Sequence, residues 1–289
     1  ELVVSAIIEK LKHAQFPLLY LGDRLKHNQV LQQLLMAFAE QFSIPYATSW
    51  FAKGLFDEYH KLCLGSYNGV FTQTSGRHYI EQKVDYIIDV ASSILPQDSN
   101  IAFATGTHKI ETFENKTLLK GGTLLEKDLV EIFQLLLQRN KKAFSFNPPS
   151  VEPQKIQLPH ELDFNNLAST LNYIQAESKT KFVYLPEVGN SYFASYSLKV
   201  KASSLGRSWL TNPWYGAMGT ALPYARVVAQ RLQDNALDER AVVIIGDGGF
   251  HFQLNDLIHF LKDNTDVTII YMRNNVFHLG KSGDDAIYH

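Results

Sequence analysis

Residues 241–249 read AVVIIGDGG, five apolar residues followed by Gly-Asp-Gly-Gly. A short aliphatic run that ends in glycine is typical of a buried parallel strand and the turn after it. Residues 267–275 have the same form, VTIIYMRNN, in which an apolar run leads to two asparagines. The twenty-five residues between Gly248 and Asn274 are enough for one helix and one strand. Both motifs are therefore predicted at the carboxyl ends of adjacent parallel strands, where α/β sheets bind ligands.

The residue types at these two strand ends suit a bound magnesium diphosphate. Mg²⁺ takes oxygen ligands at about 2.0–2.1 Å, usually one or two carboxylates with phosphate oxygens and water. Asp247 offers a carboxylate, and an asparagine amide oxygen offers a neutral second ligand. Gly248 and Gly249 allow a sharp turn and a close approach of backbone N–H groups to a diphosphate. The alternative is that Gly-Asp-Gly is an ordinary turn and Asn-Asn the start of a helix.

The chain alternates predicted helices with predicted strands, which indicates parallel sheets covered by helices on both faces. Helices are predicted at 2–14, 28–42, 127–139, 164–177, 216–232 and 254–262, and strands at 17–22, 44–48, 84–90, 100–104, 181–186, 241–245 and 267–272. Three of the ten prolines fall in 145–153, where this periodicity is lost. We predict two three-layer α/β domains with parallel sheets, at 1–145 and 164–289, joined by a linker at 146–163.

Composition restricts the class of protein. A chain of 289 residues with 45% hydrophobic and 19% charged residues has room for two globular domains. A net charge of −2 gives no argument for nucleic acid binding. No apolar run reaches the length of a membrane span and no signal peptide opens the chain, so we expect no membrane partner. The single cysteine, Cys63, cannot form a disulfide framework, and we expect a cytoplasmic protein.

Gly246-Asp247-Gly248, followed at this spacing by Asn274-Asn275, resembles the thiamine diphosphate signature. The resemblance implies that the second domain is a thiamine diphosphate-binding fold, incomplete at its C-terminus. Asp247 and Asn275 would then bind Mg²⁺ through their side chains, and Phe277 through its carbonyl. Gly248, Gly249 and Asn274 would contact the cofactor.

Residues 214–219, WYGAMG, resemble the segment that supports the cofactor in this family. The resemblance implies that the Gly216 carbonyl accepts a hydrogen bond from the 4′-amino group. Met218 would wedge the two cofactor rings into their bent shape. The alternative for Met218 is ordinary helix core, because methionine fills irregular gaps.

Residues 186–191, PEVGNS, resemble the Glu-x-Gly-Thr/Ser-Ser loop near the cofactor's diphosphate. The resemblance implies backbone clearance at Gly189 and hydrogen bonds from Asn190 and Ser191. The same residue types are common in strand-end turns, which is the alternative.

The first domain resembles the middle domain of pyruvate and indolepyruvate decarboxylases. Residues 53–60, KGLFDEYH, match Lys-Gly-x-x-Asp-Glu-x-His, and residues 65–69, GSYNG, match Gly-x-Tyr-x-Gly. The resemblance implies a thiamine diphosphate-dependent lyase that decarboxylates a small 2-oxo acid through a C2 ylid. It also implies a homodimer or homotetramer. The sequence does not specify which 2-oxo acid is used.

Two features depart from the family pattern. The N-terminal pyrimidine-binding domain has no counterpart here, so we expect this chain alone to be inactive. After Asn-Asn the family continues with Gly-Tyr-Thr-Ile-Glu, whereas residues 276–281 read VFHLGK. His278 and Lys281 are therefore candidates for proton transfer or for binding a substrate carboxylate, and the alternative is a solvated loop.

Two other functions stay open, an acetolactate synthase-like carboligase and a non-catalytic fragment that binds a cofactor or a partner. Other classes lack their motifs. A nucleotide triphosphatase loop ending at Gly280-Lys281-Ser282 would need glycine where Asn275 stands. Leu21-Gly22-Asp23 supplies one glycine of the dinucleotide fingerprint, and no His-Glu-x-x-His or Cys/His cluster indicates zinc.

Overall fold

The computed structural model describes residues 2–69, 72, 76–92, 109–113, 117–118, 124–125, 128–138, 146–147, 149, 158–212 and 216–273. The chain forms two compact units, Glu1–Lys53 with His60–Pro153 and Gly54–Tyr59 with Gln154–His289. The predicted boundaries place residues 54–59 in the first domain, whereas the structure packs them in the second unit. In the described part of the chain, no helix is both long and apolar enough to span a bilayer.

The first unit is built on a mainly parallel sheet. Its strands are β1 (Pro17–Leu21), β2 (Tyr46–Ser49), β3 (Cys63–Tyr67), β4 (Tyr86–Val90), β5 (Lys109–Phe113), β6 (Thr117–Leu118) and β7 (Leu124–Leu125). They lie in the order β3-β2-β1-β4-β5-β6-β7, in which β1 to β5 are parallel and β6 and β7 antiparallel. The order 3-2-1-4-5 is that of a doubly wound α/β sheet, which confirms the predicted fold class. The antiparallel edge was not predicted.

The helices of the first unit are α1 (Leu2–His13), α2 (Gln29–Phe42), α3 (Gly76–Gln82) and α4 (Leu129–Leu137). The Asn28 side chain caps α2 by accepting a hydrogen bond from the Leu31 N–H at 3.0 Å. Leu18 and Tyr20 pack on Ile80 of α3, while Leu19 and Leu21, on the opposite face of the strand, are fully buried as well. Both faces of β1 are therefore covered, and each large side chain buried there contributes about 1.5–3 kcal/mol.

The second unit contains a three-stranded parallel sheet in its described part. The strands β8 (Lys181–Pro186), β9 (Glu239–Gly246) and β10 (Val267–Met272) lie in the order β10-β9-β8. The helices are α5 (Leu167–Glu177), α6 (Asn190–Ala194), α7 (Ala221–Asp234), α8 (Asp247–Phe252) and α9 (Leu257–Asp263). The apolar stripe of α7, which includes Leu222, Val228 and Leu232, packs on the core formed by β8 and β9.

Several predicted elements differ from those of the structure. The helix predicted at 216–232 begins only at Ala221, because Gly216 and Gly219 have φ values of 68° and 105° that end helical geometry. The helix predicted at 254–262 begins with one turn of 3₁₀ helix at Leu254–Asp256 and continues as α9, and the short helix α8 before it was not predicted. Strand β3 was not predicted, since Gly65 (φ 90°) interrupts its apolar run. The strand predicted at 100–104 lies outside the described residues.

Candidate functional site

The three parallel strands of the second unit end side by side. Pro186, the last residue of β8, pairs with Ile244, and Met272 at the end of β10 pairs with Gly246. The chain therefore leaves β8, β9 and β10 at one edge of the sheet. The prediction that the strands before the two motifs are neighbours is confirmed, since β9 pairs with β10. The carboxyl edge is where α/β sheets bind ligands.

A fourth segment reaches the same edge beside β8. The Tyr184 N–H donates to the Ser208 carbonyl at 2.8 Å, and the Leu210 N–H donates to the Tyr184 carbonyl at 2.9 Å. These bonds form a parallel bridge, so residues 208–210 run in the direction of the strands. This direction carries the chain toward the carboxyl edge, where residues 216–220 form a loop before α7.

The loop predicted to lie near the diphosphate follows β8 directly. Gly189 has φ 108° and ψ −150°, a backbone conformation that is essentially restricted to glycine. Asn190 then begins α6, and Ser191 is buried. A Cβ built on Gly246 would lie 4.0 Å from Ser191 Oγ, so this loop is next to the Gly-Asp-Gly corner after β9.

Space is left around the glycines of this edge. An added Cβ at Gly189, Gly216 or Gly219 would meet no atom of the described residues within 4 Å. Met218 stands between the last two glycines in a loop, and its side chain is 40% exposed. The interpretation of Met218 as helix core is therefore wrong, because the residue is neither helical nor buried.

Asp247 is the first residue of α8 and is partly exposed. Its Oδ1 accepts a hydrogen bond from the Gly248 N–H at 2.9 Å. Its Oδ2 has no hydrogen-bond partner among the described residues. One carboxylate oxygen at the carboxyl edge is thus left for a cation.

Gly248 and Gly249 lie in the first turn of α8 and are buried. Neither has a positive φ, so the turn predicted from these glycines is an ordinary helix start. A Cβ on Gly249 would lie 2.5 Å from Glu187 Cγ, which shows that a side chain at 249 is excluded by a neighbouring strand end. Contact of these glycines with a diphosphate stays a prediction.

Glu187 and Gln253 are two buried residues at this edge to which the sequence analysis assigned no role. Glu187 Oε2 accepts hydrogen bonds from the backbone N–H groups of Gly219 (3.2 Å), Thr220 (3.1 Å) and Ala221 (3.1 Å). Gln253 Nε2 also donates to Glu187 Oε2 and, at 2.8 Å, to the Gly249 carbonyl. A carboxylic acid immediately after an otherwise apolar strand is the sequence signal that could have identified Glu187.

An aromatic cluster lies next to the loop that follows β8. Tyr192 and Tyr196 pack on the buried Trp209 with ring centroids 5.7 and 5.8 Å apart, and Trp209 Nε1 donates to Ser195 Oγ at 3.1 Å. Burial, together with the neighbouring Tyr192, raises the pKa of Tyr196 far above its ordinary value, so its hydroxyl stays neutral. The cluster therefore provides a rigid apolar base for α6.

The remaining predicted site residues, Asn274, Asn275, Phe277, His278 and Lys281, lie outside the described residues. The residues that are described fit a diphosphate with a hard cation. Asp247 provides an oxygen at this edge, and the glycines at 189, 216 and 219 leave the space of a side chain open among the described residues. Mg²⁺ would complete its ligand set with phosphate oxygens and water.

Comparison with known protein families gives two matches along this chain. Residues 4–114 match the central domain of thiamine pyrophosphate enzymes, and residues 187–287 match the C-terminal TPP binding domain of thiamine pyrophosphate enzymes. The second match begins at Glu187, immediately after β8, and includes the ends of β9 and β10.

Similar sequences include two plant enzymes. Pyruvate decarboxylase 1 of Arabidopsis thaliana is 24% identical over 287 residues, which cover 95% of this chain and 45% of that protein. Pyruvate decarboxylase 1 of Nicotiana tabacum is 24% identical over 286 residues, covering 95% of this chain and 65% of the relative. The chain thus spans about half to two thirds of the length of these relatives.

Solved structures show the same fold. Benzoylformate decarboxylase from Polynucleobacter necessarius matches with a TM-score of 0.66 and 18% identity, over 94% of this chain and 51% of that one. A putative thiamin diphosphate-dependent enzyme from Mycobacterium smegmatis matches with a TM-score of 0.62 and 15% identity, over 97% and 54%. At this identity the match is evidence for the fold alone.

Proposed function

We propose that the chain is the cofactor-binding part of a thiamine diphosphate-dependent 2-oxo acid decarboxylase, because residues 4–114 match the central domain and residues 187–287 the C-terminal TPP binding domain of thiamine pyrophosphate enzymes. The observation that carries the proposal is the open carboxyl edge of the second unit. At this edge Asp247 Oδ2 accepts no hydrogen bond from the described residues, and an added Cβ at Gly189, Gly216 or Gly219 would meet none of their atoms within 4 Å.

The proposal gives each described residue a binding task. Asp247 would bind Mg²⁺ together with the diphosphate, and Gly189, which has no side chain, would allow its backbone close to the phosphate oxygens. The Gly216 carbonyl accepts a hydrogen bond from the cofactor's amino group. Met218, exposed and flanked by loop residues, packs against the cofactor rings. Asn275 and Phe277, as predicted from the signature, complete the Mg²⁺ ligands.

Thiamine diphosphate supplies, when bound, the electron sink that a 2-oxo acid needs to lose CO₂. The chain's own part is to orient the cofactor and exclude water from its diphosphate. Decarboxylation is favoured over acetolactate synthesis because the plant relatives are pyruvate decarboxylases. The proposal includes a homodimer or homotetramer and an N-terminal pyrimidine-binding domain as partners, with a small 2-oxo acid as substrate.

Calorimetric titration of the 289-residue chain with thiamine diphosphate, with and without Mg²⁺, tests the cofactor site directly. We expect saturable binding that depends on Mg²⁺. Addition of the N-terminal domain of a relative in trans, with pyruvate and benzoylformate as substrates, then tests decarboxylation. Absence of Mg²⁺-dependent binding under both conditions would contradict the proposal, and binding without CO₂ release would favour the non-catalytic fragment.

A further inference from the structure

One buried carboxylate joins three segments of the carboxyl edge. Glu187 follows β8 and is fully buried, and its Oε1 accepts a hydrogen bond from the Val188 N–H at 2.9 Å. Its Oε2 accepts from three successive N–H groups, 219 to 221, that end the loop and begin α7. Gln253, also buried, connects Glu187 to the Gly249 carbonyl behind the Gly-Asp-Gly corner. The strand end, the loop and the corner are thus held by one side chain.

These hydrogen bonds restrict the conformations that the strand end, the loop and the corner can adopt. A carboxylate in a dry interior is stable only where hydrogen bonds replace its hydration, and here the donors come from the backbone of the neighbouring segments. Gly249 packs so closely on the Glu187 side chain that a Cβ there would approach to 2.5 Å. Gln253 Oε1 accepts from the Leu222 N–H at 2.8 Å, so the same network also holds the first turn of α7.

The network determines where two of the proposed cofactor contacts lie. Gly216 and Met218 precede the first bonded N–H group, that of Gly219, by three residues and one residue. The two glycines of this loop have positive φ, and an added Cβ on either would meet no atom of the described residues within 4 Å. Without an anchor, such a loop has many accessible conformations. The anchor is the Glu187 carboxylate, and Gln253 ties it to the corner that carries Asp247.

We propose that Glu187 is a positioning residue of the cofactor site, which fixes the loop 216–220 against the Gly-Asp-Gly corner through Gln253. The inference rests on the proposed function for its cofactor, but the contacts that carry it belong to the chain itself. Glu187 touches no reacting atom in this proposal. It acts through the backbone of Gly219 and Thr220 and through the side chain of Gln253.

The second unit offers a matched control at the opposite end of β8. Gln175 is fully buried, its Nε2 donates to the Thr180 carbonyl at 3.1 Å, and its Oε1 accepts from the Phe182 N–H at 2.7 Å. Gln253 likewise donates to a backbone carbonyl and accepts from a backbone N–H. Gln253→Met and Gln175→Met therefore each remove one bond to a backbone carbonyl and one from a backbone N–H, and Gln253→Met removes in addition the bond to Glu187.

The first measurement is the affinity for thiamine diphosphate with Mg²⁺, by calorimetry, in the full chain. We expect Glu187→Gln and Gln253→Met to weaken binding by about tenfold or more, the loss typical of one charge-assisted hydrogen bond. Gln175→Met should leave the affinity within about twofold, even where its thermal midpoint falls as far as that of Gln253→Met. Equal affinities of Gln253→Met and Gln175→Met would overturn the inference.

The second measurement needs no cofactor and separates this inference from the proposed function. Amide hydrogen exchange of residues 219–221 in the cofactor-free chain reports the anchor itself, with the amides of β9 as an internal reference for global opening. We expect Gln253→Met to accelerate exchange of these three amides about tenfold relative to β9 and Gln175→Met to leave the ratio unchanged. If the unsubstituted chain does not bind thiamine diphosphate, the proposed function is wrong. The exchange ratio still shows whether the Glu187–Gln253 network holds residues 219–221, and an unchanged ratio in Gln253→Met would contradict the inference.

Discussion

Two strands of the described part of the chain lead into Gly-Asp, and the two corners have opposite surroundings. In the first unit, β1 ends at Gly22-Asp23, where a Cβ on Gly22 would lie 2.1 Å from backbone atoms of Ala91 and Ser92. In the second unit, β9 ends at Gly246-Asp247, where the nearest atoms to such a Cβ are 3.9 and 4.0 Å away. The first corner is closed by the chain's own backbone, and the second has room beside it among the described residues.

The difference comes from the neighbouring strand and not from the corner itself. After β4 the chain turns across Gly22, whose N–H donates to the Val90 carbonyl at 2.8 Å, and the Ala91 carbonyl then accepts from the Arg24 N–H at 3.1 Å. After β10 only Met272 carbonyl oxygen comes near Gly246 among the described neighbours on that side. A glycine thus serves close backbone packing in one unit and an accessible edge in the other.

Replacement of the two aspartates should give the largest contrast. Asp247→Ala removes the proposed carboxylate ligand, so Mg²⁺-dependent binding of thiamine diphosphate should weaken by more than about 100-fold, beyond the effect of losing an outer-sphere partner. Asp23→Ala, at the closed corner, should leave it unchanged. Calorimetric titration of both variants measures this. Unchanged affinity in Asp247→Ala would remove the basis of the cofactor assignment.

Replacement of the two glycines should change folding stability, and here the larger effect is expected at the first corner. Gly22→Ala forces a methyl group into backbone atoms and should lower the free energy of unfolding by about 2–3 kcal/mol. Gly246→Ala has the space, and its φ of −80° is allowed for alanine, so the change should stay within about 0.5 kcal/mol. Urea unfolding of each variant gives the comparison. Similar losses in both would show that the second corner is as closed as the first.

At Gly189 the effect of a substitution should come from the backbone conformation and not from a lack of space for a side chain. Its Cβ side is open, but φ 108° and ψ −150° are strained for any other residue. Gly189→Ala should therefore lower the free energy of unfolding by about 1–2 kcal/mol without any steric contact. The same urea experiment applies, with Gly246→Ala as the unstrained reference at this edge. A loss no greater than that of Gly246→Ala would mean that the loop readily adopts another backbone geometry.

The smallest effect on stability is expected at Met218. Met218→Ala should change the free energy of unfolding by no more than about 0.5 kcal/mol, because the side chain is 40% exposed. Met272→Ala, the same change at a residue that is 6% exposed, should cost about 2 kcal/mol or more. Binding of thiamine diphosphate should weaken in Met218→Ala if the residue supports the cofactor. A stability loss like that of Met272→Ala would instead assign Met218 to the core.

The sequence predicted those parts of the site that depend on residues close together in the chain. Short apolar runs located β8, β9 and β10 closely, and the twenty-five-residue spacing correctly placed β9 beside β10. The start of α7 was wrong by five residues, because small residues at 216–220 favour a helix pattern although two of them adopt positive φ. Glu187 and Gln253 were missed because their partners are 31 to 66 residues away, beyond the reach of any periodic pattern.

By itself the sequence determined the α/β class, the parallel strands and the glycine-aspartate corner of the second unit, since these depend on side-chain periodicity and on residues close in the chain. Only the tertiary structure decided which of the two Gly-Asp corners is open. It alone also showed that a buried glutamate joins the three segments around the second corner. The physical reason is that backbone packing at Gly22 and the donors around Glu187 come from segments brought together by folding, and neither contact leaves a local pattern in the chain.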